Sequence, residues 1–332
     1  DFITEAGDAP WCLHLSSIKP HWPYIAPAPY NTMYGQDDII PVVRADSEKI
    51  DPQPVYREFM QHRVSQTFAR DEVREEIIPV YMGLIKQIDD QMGRLFAFLK
   101  QRGLMDNTLI VLTSDHGDYL GDHWLGEKDL FHDASVRVPL IIYDPSRDAD
   151  AERGTTCPAL VEAIDLLPTF IDAVGGKAED HAQRLEGRSL MPFLRGGKPE
   201  KWRQFTISEY DYSMTQAAQR LGVAFKDTSL FMIADARWKL MHAPGFRPML
   251  FDRENDPQEL KDLGADPAYE SERQRLMAAL NAWGLRISQR VTVSESRVNA
   301  GRSRSMRRGI LIGVWDESEI PEELWTAYRG ES

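Results

Sequence analysis

The sequence has few cysteines and no long apolar runs. Its 332 residues include 2 cysteines, Cys12 and Cys157, which form neither a disulfide framework nor a CxxC zinc pattern. No apolar run approaches the roughly 18 residues of a membrane span, and no secretory signal opens the chain. We therefore expect no membrane partner and a reduced, cytoplasmic location. A signal peptide upstream stays open, because the chain does not begin with Met.

Basic residues are also scarce. Lysine and arginine together number 39 against 52 aspartates and glutamates, which gives a formal net charge of -13. Because an acidic surface repels phosphate backbones, nucleic acid is not an expected partner. The hydrophobic fraction of 42% and the charged fraction of 27% are those of a folded globular protein.

The hydrophobic pattern of the first 200 residues is that of an α/β protein. Apolar positions recur at three- and four-residue steps over 71–102, which predicts a long helix. Residues 107–113 form an apolar run typical of a central parallel strand, and 137–143 predict a second buried strand. A helix is predicted over 160–174, and a short buried strand over 10–16. Alternating helices and strands favour a parallel sheet covered by helices.

Shorter strand candidates follow from about residue 200, and they predict a smaller sheet-plus-helix subdomain. The predicted strands cover 204–210, 229–234, 237–242 and 249–252, and a helix is predicted over 271–289. The predicted domains are accordingly 1–199, 200–291 and an arm, 292–332.

Asp115 and His116 lie where the predicted strand 107–113 gives way to Gly117. At that point both side chains can reach one divalent cation of the Mn, Mg, Ca or Zn range, although a stable centre needs about two to four further ligands. The alternative is a plain turn, in which the aspartate accepts backbone hydrogens, the histidine is exposed and Gly117 supplies a positive φ. Asp122 and His123 form a second pair, which we interpret as a loop brace.

Three cationic side chains could bind an oxyanion. Lys19 and His21 are held by the prolines around them, and Lys128 lies in the loop after Asp115. Such groups can hold a tetrahedral anion, and His21 could give a proton to a leaving oxygen. The alternative is that the lysines are solvated and that His21 packs in a proline-lined turn.

Taken together, these motifs resemble the sulfatase family of the alkaline phosphatase superfamily. The motifs are TSDHG (113–117), LG (120–121), GEK (126–128), RVP (137–139), KPHWP (19–23), IDLLPTF (164–170), WKL (238–240), LFD (250–252) and NDPQE (255–259). The sequence RGILIGVWD (308–316) is similar to the phosphonate monoester hydrolase branch. The resemblance covers nearly the whole chain.

The resemblance implies an alkaline-phosphatase-like sandwich around a mostly parallel sheet, incomplete at its N-terminus, with a smaller C-terminal subdomain. It implies that Asp115 and His116 bind one divalent cation, with Mn²⁺ or Ca²⁺ favoured over Mg²⁺ or Zn²⁺. It implies that Lys128 and His21 bind the anion and act in catalysis, with Lys19 beside them. The implied substrate is a small sulfate, phosphonate or phosphate ester.

The nucleophile of the family pattern is missing from the sequence. The Cys- or Ser-x-Pro-x-Arg segment that carries formylglycine does not occur, and neither Cys12 nor Cys157 has that spacing. Asp37 and Asp38 follow no predicted strand, so we assign them no ligand role. We therefore predict a hydrolase fragment that is inactive alone, with formylglycine in a missing N-terminal part. The alternative is a non-catalytic sulfatase-like protein for anion binding or assembly.

The arm 292–332 carries five arginines over 297–308 and an apolar run over 310–315. We expect it to contact a neighbouring subunit and to form a homo-oligomer, because the apolar run would bury surface there. Binding to nucleic acid is the weaker alternative, since the cluster is short and the protein is acidic.

Overall fold

The computed structural model describes residues 2–287 and 316–320. The helices are α1 (Phe2–Ala6), α2 (Pro54–Met60), α3 (Arg63–Phe68), α4 (Asp71–Gln101), α5 (Asp133–Val136), α6 (Leu166–Ala173), α7 (Met191–Leu194), α8 (Gln216–Leu221) and α9 (Glu270–Ile287). The strands are β1 (Ile110–Thr113), β2 (Leu140–Tyr143), β3 (Thr206–Asp211), β4 (Ser229–Ala234), β5 (Trp238–His242) and β6 (Met249–Asp252). The α/β class predicted from the sequence is confirmed.

The chain divides into two compact units. The first comprises the residues up to Arg147 together with Ile207–Arg273, and the second comprises Asp148–Thr206 and the described residues from Gln274 onward. The boundary predicted at residue 199 lies inside the second unit, so the units follow a different division from the predicted domains. The predicted arm lies outside the described residues except for 316–320, and its role stays a prediction.

A four-stranded sheet forms much of the core of the first unit. The strand order is β3-β4-β5-β6, and β5 runs antiparallel to both β4 and β6. Four of the six residues of β4 and all four of β6 are buried, as expected for apolar runs covered by other elements. Their side chains share one hydrophobic cluster with α2, α8 and the segment 119–131. The segment that carries Lys128 is therefore anchored in the core.

Helix α4 confirms the helix predicted over 71–102, and it passes through Pro79 without interruption. A short 3-10 turn, Tyr30–Thr32, packs on it at Gly83. A Cβ atom at Gly83 would lie 2.1 Å from the carbonyl oxygen of Tyr30. The close approach of these two backbones therefore requires glycine.

Three predicted strands differ in the structure, and one of them is the buried strand predicted over 137–143, because β2 has no buried residue. Residues 10–16 form no regular element, and all of them except Trp11 are exposed, with Leu15 64% exposed. Strand β1 is paired with β2 in antiparallel register, and none of its residues is fully buried. The apolar run was predicted to be a central parallel strand, but its described neighbour is antiparallel and leaves it only half covered.

In the second unit, the IDLLPTF motif forms the beginning of helix α6. A 3-10 turn, Ala163–Asp165, leads into α6, and the Asp165 carboxylate is fully buried. This carboxylate accepts hydrogen bonds from the backbone N–H groups of Glu162 and Arg188, and both its oxygens pair with the Arg203 guanidinium. A buried carboxylate satisfied in this way has a structural role.

Two further findings concern the cysteines and the length of the apolar helices. Both cysteines are free and exposed. Within the described ranges, no helix is both long and apolar enough to cross a membrane.

Candidate active site

Lys128 and His21 lie side by side, although 107 positions separate them. Lys128 Nζ is 3.1 Å from His21 Nε2. The loop before Lys128 folds back on itself through backbone hydrogen bonds from Tyr119 N to Glu127 O and from Gly121 N to Leu125 O, each 2.8 Å long. This fold returns Lys128 to the neighbourhood of the TSDHG turn. Two of the candidate anion-binding residues are therefore in contact, and their roles stay a prediction.

The protonation of the His21 ring follows from its neighbours. His21 Nδ1 lies 2.9 Å from the carbonyl oxygen of Trp22, which can only accept, so Nδ1 carries the hydrogen. The Lys128 ammonium can donate to His21 Nε2 only if that atom has a free lone pair. The ring therefore presents an unprotonated Nε2 to the lysine.

Asp115 and His116 turn their polar atoms towards each other. His116 Nε2 lies 3.5 Å from Asp115 Oδ2, and the His116 ring centroid is 6.3 Å from that of His21. His116 Nδ1 lies 2.7 Å from the carbonyl oxygen of Gly117, so Nδ1 again carries a hydrogen and Nε2 is the ring nitrogen that faces Asp115. The four residues from two distant segments thus lie together.

The Asp115 carboxyl group is held in its ionised form. Partial burial acts to raise its pKa, but the nearby His116 ring and hydrogen bonds from backbone N–H groups and from Ser114 lower the pKa below its ordinary value. The carboxylate is 85% exposed, which leaves its oxygens accessible.

This donor pair fits a divalent cation. A carboxylate oxygen and an imidazole lone pair 3.5 Å apart can share one ion, and a backbone carbonyl on the other ring nitrogen is the usual support of a metal-binding histidine. Over residues 2–287 and 316–320, no group of three or more His, Cys, Asp or Glu side chains could hold a metal. The metal-ligand role of Asp115 and His116 therefore stays a prediction.

Gly117 shapes the turn by close approach. Its N–H donates to Ser135 O at 2.7 Å, and a Cβ atom would lie 2.0 Å from Ala134 O. Gly117 is not among the glycines with positive φ. The plain-turn alternative, in which Gly117 supplies a positive φ, is therefore wrong on this point. Glycine is needed here because a side chain would have no space.

Lys19 braces its own loop. Its ammonium donates to His21 O at 3.3 Å and to Pro23 O at 2.5 Å. Anion binding by Lys19 stays a prediction.

Asp37 and Asp38, to which no ligand role was given, are exposed, and Asp38 accepts a hydrogen bond from Gly35 N.

One contact in the site escaped the sequence analysis. Tyr24 Oη donates to Asp118 Oδ2 at 2.9 Å and ties the KPHWP loop to the TSDHG turn. Burial, followed by the nearby Asp118 charge, raises the pKa of Tyr24, and burial raises the pKa of Asp118. The only available signal was that each residue lies close to a motif in the chain.

The Asp122 and His123 pair is a loop brace, as predicted. Asp122 accepts a hydrogen bond from Val43 N, and His123 Nδ1 lies 2.8 Å from Glu48 Oε1. His123 is buried and stacks on the His132 ring with centroids 4.0 Å apart. Both side chains are thus used inside the fold.

Solved structures with the same fold define the class of protein. A phosphonate monoester hydrolase from Silicibacter pomeroyi superposes with a TM-score of 0.78 at 33% identity, over 85% of this chain and 57% of that one. A phosphonate monoester hydrolase of Agrobacterium radiobacter gives 0.74 at 32% identity, over 86% and 59%. The fold is therefore the alkaline-phosphatase-like α/β fold.

Sequence comparison gives the family. The sulfatase family model matches residues 1–176, and the model for the C-terminal part of N-sulphoglucosamine sulphohydrolase matches 121–284. A multifunctional alkaline phosphatase superfamily protein of Trinickia caryophylli is 34% identical over 81% of this chain and 54% of its own length. The chain belongs to the sulfatase family. It spans about half the length of the curated relatives that it matches.

Proposed function

We propose that the chain supplies the anion-binding groups and two metal ligands of a hydrolase that cleaves sulfate, phosphonate or phosphate esters. The observation that carries this proposal is the convergence of Lys128, His21, Asp115 and His116 from distant segments. Relatives named as phosphonate monoester hydrolases, and one named as an arylsulfatase, support both ester classes. Both esters present a tetrahedral anion, which suits the same cationic groups.

The roles follow from the hydrogen-bonding capacity of each side chain. The Lys128 ammonium has three hydrogens, so it can donate to an ester oxygen while it holds His21. We assign His21 the proton transfer to the departing alcohol oxygen: its Nε2 first takes up a proton from solvent and then donates that proton to the oxygen. Asp115 and His116 would hold a divalent cation, which supplies charge neutralisation at the ester oxygens when bound. Mn²⁺ or Ca²⁺ is the proposed ion, with Mg²⁺ or Zn²⁺ as alternatives.

The nucleophile is proposed to lie outside these 332 residues, because the formylglycine segment does not occur among them. The chain alone is then expected to bind anions without turning over esters. Incubation with an aryl sulfate and a phenyl phosphonate ester in the presence of Mn²⁺ or Ca²⁺ tests this. Robust metal-dependent turnover by the chain would overturn the missing-nucleophile argument. A non-catalytic relative would also bind anions without turnover. To distinguish it from a hydrolase fragment, the N-terminal part of a family member is attached to the chain, and restored turnover identifies the fragment.

The metal ligands can be tested without turnover. Added Mn²⁺ should broaden the NMR signals of the His116 ring at lower concentrations than those of the exposed His14 ring. Asp115→Asn removes the charged donor, so the concentration required should rise by about tenfold, or about 1.4 kcal/mol. Asp106→Asn removes an exposed acid outside the site and serves as the matched control. Equal broadening in the wild type and in Asp115→Asn would exclude Asp115 as a ligand.

A further inference from the structure

A cleft lies at residues that neighbour His21 and Lys128 in the chain. Its volume is about 210 Å³, and it is lined by Trp22, Tyr24, Val64, Phe68 and Glu127. Four of these side chains are aromatic or aliphatic, and one is acidic. Since an apolar cavity of about 150 Å³ can hold benzene, the cleft has room for one substituted aromatic ring.

The aromatic wall of the cleft, formed by Tyr24 and Phe68, is held in place by contacts with neighbouring residues. The Tyr24 ring meets the Phe68 ring edge-on, with centroids 5.9 Å apart, and lies 6.0 Å from the Tyr81 ring. Phe68 is buried, and the hydrogen bond from Tyr24 to Asp118 fixes the other end of the tyrosine. Edge-to-face contacts of this kind favour one ring arrangement. The wall is therefore preformed.

A glycine brings Glu127 to the cleft. A Cβ atom at Gly126 would lie 2.7 Å from Val64 Cγ1 and 2.9 Å from Phe68 Cδ2. Gly126 N also donates to Ser65 Oγ at 3.2 Å. The absent side chain lets the segment that carries Glu127 lie directly against α3.

The position of the cleft relates it to the anion-binding pair. Trp22 follows His21 in the chain, and Glu127 precedes Lys128, so both walls begin one residue from the paired cations. An ester whose anion is held by Lys128 and His21 would extend its organic group between these walls. This step rests on the proposed function.

Glu127 gives the cleft a charge preference. It is half-buried and lies in a mostly apolar lining, where a charge acts more strongly than in water. We propose that the cleft holds the organic group of the ester, and that Glu127 makes it select uncharged or cationic aromatic groups against groups with a second negative charge. Glu127 is then a specificity-determining residue.

Binding of inert sulfonates to the full chain tests the proposal. The probes are methanesulfonate, benzenesulfonate and 4-sulfobenzoate, whose carboxylate adds a second anion to the ring. Affinities come from NMR titration with methyl-labelled valine, and the Val64 signals are assigned by their loss in Val64→Leu. Benzenesulfonate should bind about tenfold more tightly than methanesulfonate and should shift the Val64 signals.

Glu127→Gln isolates the charge effect. The ratio of the dissociation constant of 4-sulfobenzoate to that of benzenesulfonate should fall by about tenfold in this variant. Glu76→Gln removes an exposed acid on α4 that does not line the cleft, and it should leave the ratio unchanged. An unchanged ratio in Glu127→Gln would overturn the selectivity.

A neutral probe separates the cleft from the anion site. If both simple sulfonates bind equally, the anion site stands and the cleft proposal is overturned. If neither binds but 4-methylphenol shifts the Val64 signals, the cleft takes the ring and the proposed function fails. If 4-methylphenol also has no effect, the cleft proposal is overturned with it.

Discussion

Lys239 is a lysine that the fold uses as a core residue. It is 1% exposed, and its ammonium lies 2.6 Å from Asp133 Oδ1 and 2.5 Å from Glu259 Oε1. It also donates to Phe131 O at 3.0 Å. The WKL and NDPQE motifs thus meet in a buried ion cluster next to the segment that carries Lys128. A cluster of this kind tolerates the loss of one member poorly, because the remaining charges stay buried without compensation.

Lys239→Met should therefore lower the free energy of unfolding by about 3–5 kcal/mol. Lys261→Met, which replaces an exposed lysine, should change the free energy by no more than about 0.5 kcal/mol. Urea unfolding followed by circular dichroism measures both. A Lys239→Met variant as stable as Lys261→Met would show that the cluster contributes little.

At the residue scale, sequence analysis found the groups that motifs mark. Asp115, His116, His21 and Lys128 each lie in a short pattern that marks them as candidates, and their roles stay predictions. The contacts from Tyr24 to Asp118 and from Lys239 to Asp133 join positions 94 and 106 apart. Nothing local to either partner specifies such a contact, so only the folded chain shows it.

Two glycines of α4 make a matched pair at the scale of elements. Gly83 faces the Tyr30 carbonyl, whereas Gly93 is exposed and a Cβ atom there would meet nothing within 4 Å. Both share the same helix and the same gain in helix propensity on substitution by alanine. Any difference between the two alanine variants therefore reports the contact with the 3-10 turn.

Gly93→Ala should raise the free energy of unfolding by about 0.5–1 kcal/mol. Gly83→Ala should lower it by about 1–3 kcal/mol, because the backbone of Tyr30 must move away. Thermal and urea unfolding measure both changes. Equal stabilisation by the two alanines would mean that the turn does not pack on α4 in solution.

Elements with a clear period were predicted well. The 3.6-residue pattern of α4 and the apolar runs of β4 and β6 match the structure closely. Residues 10–16 and β1 were predicted less well, because an apolar run records a tendency to pair and not the identity or direction of its partner. Pairing direction depends on chain connections that a local pattern does not contain.

A buried histidine links the stability of the whole molecule to pH. His132 is 1% exposed, stacks on His123, and shares a hydrogen bond with Tyr119 through Nδ1. Its Nε2 is buried without a hydrogen-bond partner in the described part of the chain. Burial, with the nearby His123 ring and the Lys239 charge, lowers the pKa of His132 well below its ordinary value of 6.5, while Glu48 faces His123 on its other side.

The unfolded chain therefore binds more protons than the folded chain below pH 6.5. His132 stabilises the fold fully above this value, and its contribution falls as the pH drops, by up to about 1.4 kcal/mol per pH unit. His132→Gln should reduce the slope of unfolding free energy between about pH 5 and 6.5. His62 and His242, whose pKa values burial also lowers, should retain part of the slope.

Urea titrations across this pH range measure the slope for the wild type, His132→Gln and a control, His14→Asn, at an exposed position. The comparison uses slopes and not absolute stabilities, so a less stable His132→Gln still gives an answer. The same slope in all three proteins would mean that His132 is protonated in the folded state.

Each imidazole in the site is held at Nδ1 by the peptide unit that follows it. His21 and His116 each donate Nδ1–H to the backbone carbonyl oxygen of the residue that follows. Directed evolution could therefore randomise Trp22 or the far loops of the molecule and still present the same nitrogen of each ring. A library can thus vary the residues that set selectivity without changing which nitrogen each ring presents, since that nitrogen is set by the backbone next to each histidine.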